Sequence, residues 1–333
     1  MKSVQFLAIG DPVVDEFIRL KDASVHCDID SDNCTISMRW GDKIPFESST
    51  LVAGVGNAAN AAVAAARLGL SSALLGIIGA DEYGKEIVKV YKKEGLNLSY
   101  IEKQRGIPTN HHYVLSYESE RTILVKHEAY RYVFPKHMPP PKTLYLSSLA
   151  ESVGDTYDND LADYLIAHPD IFFAFQPGTF QIKMGTQKLA RIYKRSNIFF
   201  CNKEEAKRIL KSETETIPEL LRDLHALGPE KVVITDGRKG AYASDGKEQF
   251  FIPMYPDMRE PFERTGAGDA FASTVTAALT AGESFEKALL WGPVNSMSVV
   301  QKVGAQEGLL TKKELMQLLT NAPSEFRTTP LSL

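Results

Sequence analysis

The segment Glu263-Arg264-Thr265-Gly266-Ala267-Gly268-Asp269 places two glycines and an aspartate just ahead of a strongly helical, alanine-rich run, Ala270 to Ala281. Glycines at a helix entrance let backbone amides approach an anion closely, and the helix dipole favours negative charge there. A carboxylate in the same turn would be repelled by a bound phosphate unless it has a task. The natural task is to accept the proton of a hydroxyl that attacks that phosphate. A structural reading fits the same residues: Asp269 caps the helix or favours its dipole, and the glycines serve a tight turn. Spacing alone leaves the two readings level.

Other residues earn attention by position. Asn202-Lys203-Glu204-Glu205 follows the apolar run Ile198 to Cys201, where a doubly wound sheet binds ligands. The same four residues also read as a helix start, with Asn202 as N-cap and Glu205 as its partner three residues on. Asp15 lies beyond the end of a first strand, Val4 to Ile9, again at the ligand-binding edge of such a sheet, or simply exposed after a turn. His111 and His112 fall on a strand pattern and point to opposite faces, which makes them poor joint metal ligands. One of them, or Asn110, is placed to touch a substrate. No G-x-x-x-x-G-K-[ST] loop occurs, which excludes a P-loop kinase, and no G-x-G-x-x-G follows the first strand to suggest a dinucleotide enzyme.

The elements that must position these residues follow from periodicity. Residues 57–69 predict a helix stopped by Gly69, 73–78 a strand, and 82–94 a helix stopped by Gly95. Polar and apolar residues alternate in 16–50 and again in 112–116 and 122–127, predicting strands that pair into one small lid sheet. From Pro139 onward strand and helix alternate: strands at 144–147, 171–175, 198–201 and 232–235, helices at 158–167, 182–194, 267–281 and 284–302. Such alternation implies right-handed crossovers and a mostly parallel sheet. The reading is one α/β domain over 1–322, with lid strands inserted at about 16–50 and 110–128 and a tail at 323–333.

Composition sets the outer bounds. The 333 residues are 44% hydrophobic and 24% charged, and 38 basic against 42 acidic residues give a net charge of −4. That is a globular composition with no attraction to a polyanion such as nucleic acid. Cys27, Cys34 and Cys201 are odd in number and lack CxxC spacing, so neither a disulfide framework nor a cysteine zinc site is expected, and a reducing compartment is. The start, Met1-Lys2-Ser3 before a short apolar stretch and Gly10-Asp11-Pro12, does not fit a signal peptide. No uninterrupted run has membrane length. A cytoplasmic protein without membrane partners is expected.

Arg264-Thr265-Gly266-Ala267-Gly268-Asp269-Ala270-Phe271 resembles the second signature of the ribokinase-like, or PfkB, carbohydrate kinases. Gly54-Val55-Gly56-Asn57-Ala58-Ala59-Asn60-Ala61, leading into Ala66-Arg67-Leu68-Gly69, resembles the first. Asn202 to Glu205 is similar to the family's N-x-x-E motif, and Gly10 to Asp15, Thr235 to Gly240 and Gly304-Ala305 match in order. The resemblance covers almost the whole chain. It implies a ribokinase-like central β-sheet, mostly parallel and flanked by helices, with a small β-sheet lid.

It also implies ATP-dependent transfer of the γ-phosphoryl group to a hydroxymethyl group of a small sugar or sugar acid. Asp269 would be the general base, and Gly266, Ala267 and Gly268 the amide donors to the transferring group. Asp15, Gly54, Gly56 and Asn60 would meet the sugar. Asn202 and Glu205 would organise water and Mg²⁺ at the phosphates. Thr235, Gly237 and Gly240 would line the nucleotide, and Asn295 would border its adenine. Two departures from the pattern stand out. Glu263-Arg264-Thr265 replaces the family's Asp-Thr-Thr, which leaves Glu263 as the candidate monovalent-ion ligand and K⁺ dependence open. Val55 replaces the first glycine of a Gly-Gly hinge, which shifts the expected hinge of the lid. The rival readings are a nucleoside kinase, with Trp40, Tyr113 or Tyr117 stacking the base, and a non-catalytic sugar or nucleotide sensor. Lid strands pairing through exposed faces would make a homodimer.

Overall fold

Four consecutive apolar residues, Phe6–Ile9, form strand β1 and are wholly buried. Phe6 and Ala8 enter one apolar cluster, Leu7 and Ile9 another. This is the period-two division of a strand covered on both faces. The structure, a computed structural model, describes residues 3–27, 34–117, 120–261 and 264–331.

The chain leaves β1 through β2 (Val13–Leu20), β3 (Ser24–Cys27), β4 (Cys34–Ser37) and β5 (Phe46–Val55) before helix α1 (Asn57–Arg67). There follow β6 (Ser72–Gly79), α2 (Glu82–Lys93), β7 (Ile101–Gln104), β8 (His111–Tyr117) and β9 (Glu120–Leu124). Strand–helix alternation then takes over with β10 (Thr143–Leu146), α3 (Gly154–Ala167), β11 (Phe172–Phe175), α4 (Thr179–Met184) and α5 (Ala190–Arg195). It continues through β12 (Ile198–Asn202), α6 (Lys203–Leu210), α7 (Ile217–Ala226) and β13 (Val232–Thr235) to the hairpin β14 (Ala241–Ser244) and β15 (Gln249–Ile252). Three helices, α8 (Ala267–Ala281), α9 (Phe285–Val299) and α10 (Lys312–Thr320), precede β16 (Thr329–Pro330).

The main sheet has ten strands in the order β16-β15-β14-β13-β12-β11-β10-β1-β6-β7. All neighbours from β13 to β7 are parallel, and the β13 edge is extended by antiparallel strands. The chain departs from β1 to one side for β6 and returns to the other side for β10. The end of β1 is therefore a switch point, where the crevice of an open α/β sheet lies. Gly10 to Asp15 leaves from that crevice.

Helix α1 sits close over the sheet because its inward residues are alanines: Ala58, Ala59, Ala61, Ala62, Ala64 and Ala65 are fully buried, and α8 packs beside it with an equally small-residue face. Arg67 ends α1 as a clamp. Its guanidinium meets both oxygens of Glu94 at 2.8 Å and donates to the carbonyls of Gln306 and Leu309 at 2.8 Å. A planar fork satisfied on each edge fixes three segments at once.

The expected lid exists as a separate four-stranded sheet, β5-β2-β8-β9, in which β2 and β8 are parallel, but β3 and β4 of the 16–50 stretch do not join it and pair with each other in a sheet of their own. Three further expectations need correction. The helix over 182–194 is two short helices, α4 and α5, because Gly185 ends the first. Strand β9 stops at Leu124, leaving His127 beyond it. Cys27 and Cys34 are joined in a disulfide of 2.00 Å: the β3–β4 hairpin places them directly opposite, so pairing arises from strand register that Cys spacing did not signal. Within the tail region, Thr329 and Pro330 add to the sheet edge beside β15. Among the described residues no helix is long and apolar enough to cross a membrane.

Candidate active site

The turn before α8 is built around Gly266, which is the helix N-cap with φ 77°. A side chain there would be strained by that φ and would meet Ala305 at 2.4 Å. Gly268 differs: a Cβ added to it meets nothing within 4 Å, so its backbone faces open space. The first helical bond runs from Ala270 N–H to Gly266 O at 2.8 Å. Amides ahead of it are those that helix geometry leaves for a ligand. Of the three expected donors, Ala267 N–H also reaches Arg264 O at 3.4 Å, a long turn bond.

Asp269 occupies the third helical position and carries a dense set of side-chain partners. Asn57 donates to Oδ1 at 3.1 Å, Asn60 to Oδ2 at 2.9 Å, and Gln176 to Oδ1 at 3.3 Å. Loss of water raises its carboxyl to about 6; the nearby negative charge of Glu205 adds to the rise, and the three carboxamides oppose it. Asn60 is itself held. Its Oδ1 accepts from Gln306 Nε2 at 3.0 Å, and the same amide donates to Gly54 O at 2.8 Å. Tyr145 donates to Gln176 Oε1. The carboxylate is thus fixed from α1, β11 and the Gln306 loop together. Sequence reading missed Asn57, Gln176 and Gln306. Gln176 carried one usable signal, since it comes at the C-terminal end of the apolar strand β11 as Asn202 does at that of β12.

Gly56 brings α1 to this place. Its φ is 112°, and a Cβ would stand 2.6 Å from Asp11 O, so the entrance to α1 lies against the β1–β2 turn. Gly54 is the neighbour of Tyr91, whose ring a Cβ would meet at 2.9 Å. Asp15 lies on β2, level with Val52 of β5 and His112 of β8. A Cβ added at Gly304 would meet Val52 at 3.8 Å and Phe17 at 4.0 Å, so this face of the lid looks towards the loop packed on Gly266.

A cleft of about 490 Å³ opens beside the turn, lined by Ala267 and Gly268 and by the expected Asn202, Thr235, Gly237 and Gly240. Its wall is apolar, with Ile252, Tyr255, Pro293 and Met297, and cationic side chains Lys203, Arg208, Arg238 and Arg264 stand around it. Size and lining suit a nucleotide-sized ligand. Asn202 and Glu205 make a reciprocal cap of α6, with Asn202 Oδ1 accepting from Glu205 N–H at 2.8 Å and Glu205 Oε2 from Asn202 N–H at 2.9 Å. Burial raises the Glu205 carboxyl.

Two expected ligands are placed elsewhere. Asn295 is fully buried; it donates to Thr274 Oγ1 at 2.8 Å and accepts from Leu310 N–H at 2.9 Å. It ties α9 to α8, while its neighbours Ser296 and Met297 reach the cleft. Asn110 is also fully buried and spends its amide on Glu128 N–H at 2.8 Å and Pro12 O at 3.4 Å. It holds the root of the lid. Glu263 lies outside the described residues. Among the described residues no cluster of three or more His, Cys, Asp or Glu forms a protein-only metal site.

The pfkB family carbohydrate kinase pattern matches residues 33–312. A ribokinase of Bacillus subtilis (strain 168) is 28% identical over 273 residues, which are 80% of this chain and 87% of that one. Arabidopsis thaliana ribokinase, solved with ribose and ATP, has the same fold, with a TM-score of 0.77 at 20% identity over 96% of this chain and 99% of its own. A Burkholderia thailandensis nucleoside kinase solved with inosine also matches, with a TM-score of 0.77 at 16% identity, covering 97% and 99%.

Proposed function

The chain belongs to the pfkB family of carbohydrate kinases, phosphotransferases with an alcohol acceptor, and from that premise we propose that it transfers the γ-phosphoryl group of ATP to a hydroxymethyl group of a small sugar. The observation that carries this reading is Asp269, held by three carboxamides in the glycine turn that borders a nucleotide-sized cleft. A hydroxyl delivered to Asp269 gives up its proton to the carboxylate as its oxygen attacks the γ-phosphorus. The bond from that phosphorus to the bridging oxygen breaks, and ADP leaves. Amides of Gly266, Ala267 and Gly268 and the α8 dipole favour the charge on the transferring group.

Asp15 supplies an acceptor for sugar hydroxyls, with Gly54 and Gly56 shaping the approach. Asn60 acts on the base rather than as a free sugar ligand, since both ends of its amide are engaged. Asn202, Thr235, Gly237 and Gly240 hold the nucleotide. A hard ion that keeps most of its water and takes phosphate oxygens fits the half-buried carboxylate Glu205. When bound, Mg²⁺ neutralises phosphate charge there. A nucleoside acceptor has less support: Trp40 is 98% exposed, and Tyr113, level with Glu16, faces away from Asp15. The outer face of the lid supports pairing with a second copy, because Leu51, Tyr113 and Leu124 are exposed in one cross-strand row.

Acceptor-dependent ADP formation across pentoses, hexoses, sugar acids and nucleosides tests the reading. Wild type is expected to turn over at least one, and Asp269→Asn to lose about 10²–10⁴-fold in kcat while still binding ATP. Silence across the panel with ATP bound would favour a sensor.

A further inference from the structure

Around Asp15 the lid carries a polar cluster whose histidines the reading above leaves without a role. His112 stands level with Asp15, its Nδ1 3.3 Å from Asp15 Oδ1. His127, past the end of β9, sets Nδ1 3.3 Å from Asp11 Oδ2. The two rings lie 5.1 Å apart, and Phe180 of α4 meets His127 edge-on at 5.7 Å. Asp11 is fully spent as a support: the Tyr132 hydroxyl donates to its oxygens at 2.8 and 2.9 Å, and Ala150 N–H donates to Oδ2 at 2.7 Å.

Within this cluster Asp15 Oδ1, His112 Nε2 and His127 Nδ1 are buried polar atoms without an aligned hydrogen-bond partner. Such atoms are rare unless a ligand or water completes them. A carboxylate beside Nδ1 favours the proton on that nitrogen, which leaves Nε2 of His112 as a lone-pair acceptor. Asp15 is an acceptor as well. Two acceptors side by side require two donors. Adjacent hydroxyls of an uncharged polyol supply them, whereas a carboxylate would set lone pair against lone pair.

Resting on the kinase reading above, we infer that His112 is a specificity-determining residue that accepts a substrate hydroxyl hydrogen at Nε2 beside Asp15. His127, its Nδ1 facing Asp11 and its ring set beside that of His112, is the positioning residue. The pair selects neutral polyols over sugar acids.

The test is calorimetric titration of the full chain, in the presence of ADP and Mg²⁺, with D-ribose, D-fructose, D-ribonate and D-gluconate. Wild type, His112→Phe and His112→Gln are compared, and ADP formation is measured in parallel. The phenyl ring keeps the size and loses the acceptor, while the carboxamide keeps an acceptor at similar reach. A neutral sugar should bind at least tenfold more tightly than its acid. His112→Phe should lose tenfold or more in sugar affinity and raise sugar KM with kcat within threefold, and His112→Gln should recover to within threefold of wild type. ADP affinity should be the same in all three, which reports folding. Equal or tighter binding of the acid, sugar affinity within twofold in His112→Phe, or no neutral sugar bound at all would overturn the inference. Sugar binding that depends on His112 with no ADP ever formed would instead sink the kinase reading alone.

Discussion

Among the described residues Asp269 is one of few carboxylates drawn well above the usual range, and its chemistry follows from that. With its carboxyl raised to about 6 by loss of water, it must be ionised to accept a proton. Acceptor kcat/KM is therefore expected to rise through about pH 6 and level off above it, a profile that steady-state assays from pH 5 to 8 would show. A flat profile across that range would remove Asp269 from the proton transfer. Linkage has the matching sign. A folded-state carboxyl raised above its unfolded value favours the fold at low pH, so wild type should lose stability relative to Asp269→Asn as pH rises from about 4 to about 6. Asp269 was legible because its glycine turn is contiguous. Gln176 and Gln306 were not, since each acts from a distant segment and an isolated glutamine has no signature. Asn295 packs into the core while Ser296 reaches the cleft, because adjacent helical residues point about 100° apart and sequence alone does not fix which of them faces the ligand.

The entrance of α8 joins two glycines with different reasons to be glycine. Gly266 is bound by backbone φ and by Ala305, but Gly268 meets nothing. Gly268→Ala should keep or raise thermal stability, by up to ~1 kcal/mol, and lower kcat/KM for ATP tenfold or more by standing a methyl where the phosphoryl group approaches. A melting curve beside an ATP titration checks both halves; undiminished activity would mean the turn does not face the phosphate. Elements were legible where period and punctuation agreed: α1 between Gly56 and Gly69, the alternating lid strands, and the buried runs of the parallel sheet. Reading failed where local signal was short. Gly185 split one expected helix, and the β3–β4 hairpin paired Cys27 with Cys34 through register, which only the fold sets.

At the scale of the molecule, the outer row of Leu51, Tyr113 and Leu124 predicts self-association through the lid. Light scattering at micromolar concentration should give the mass of a dimer, and Leu124→Glu should shift it to monomer; a wild-type monomer throughout that range would count against lid pairing. The order of strands carries a different consequence. Strand β1 pairs with β6 on one side and with β10, residues 143–146, on the other. During synthesis this wholly buried strand therefore waits, with one flank bare, until the ribosome has delivered more than a hundred further residues. Closure of so long a loop is slow, and an apolar strand edge left open invites wrong partners. Early emergence and late completion make the first strand the point at which a growing chain is most in need of a chaperone.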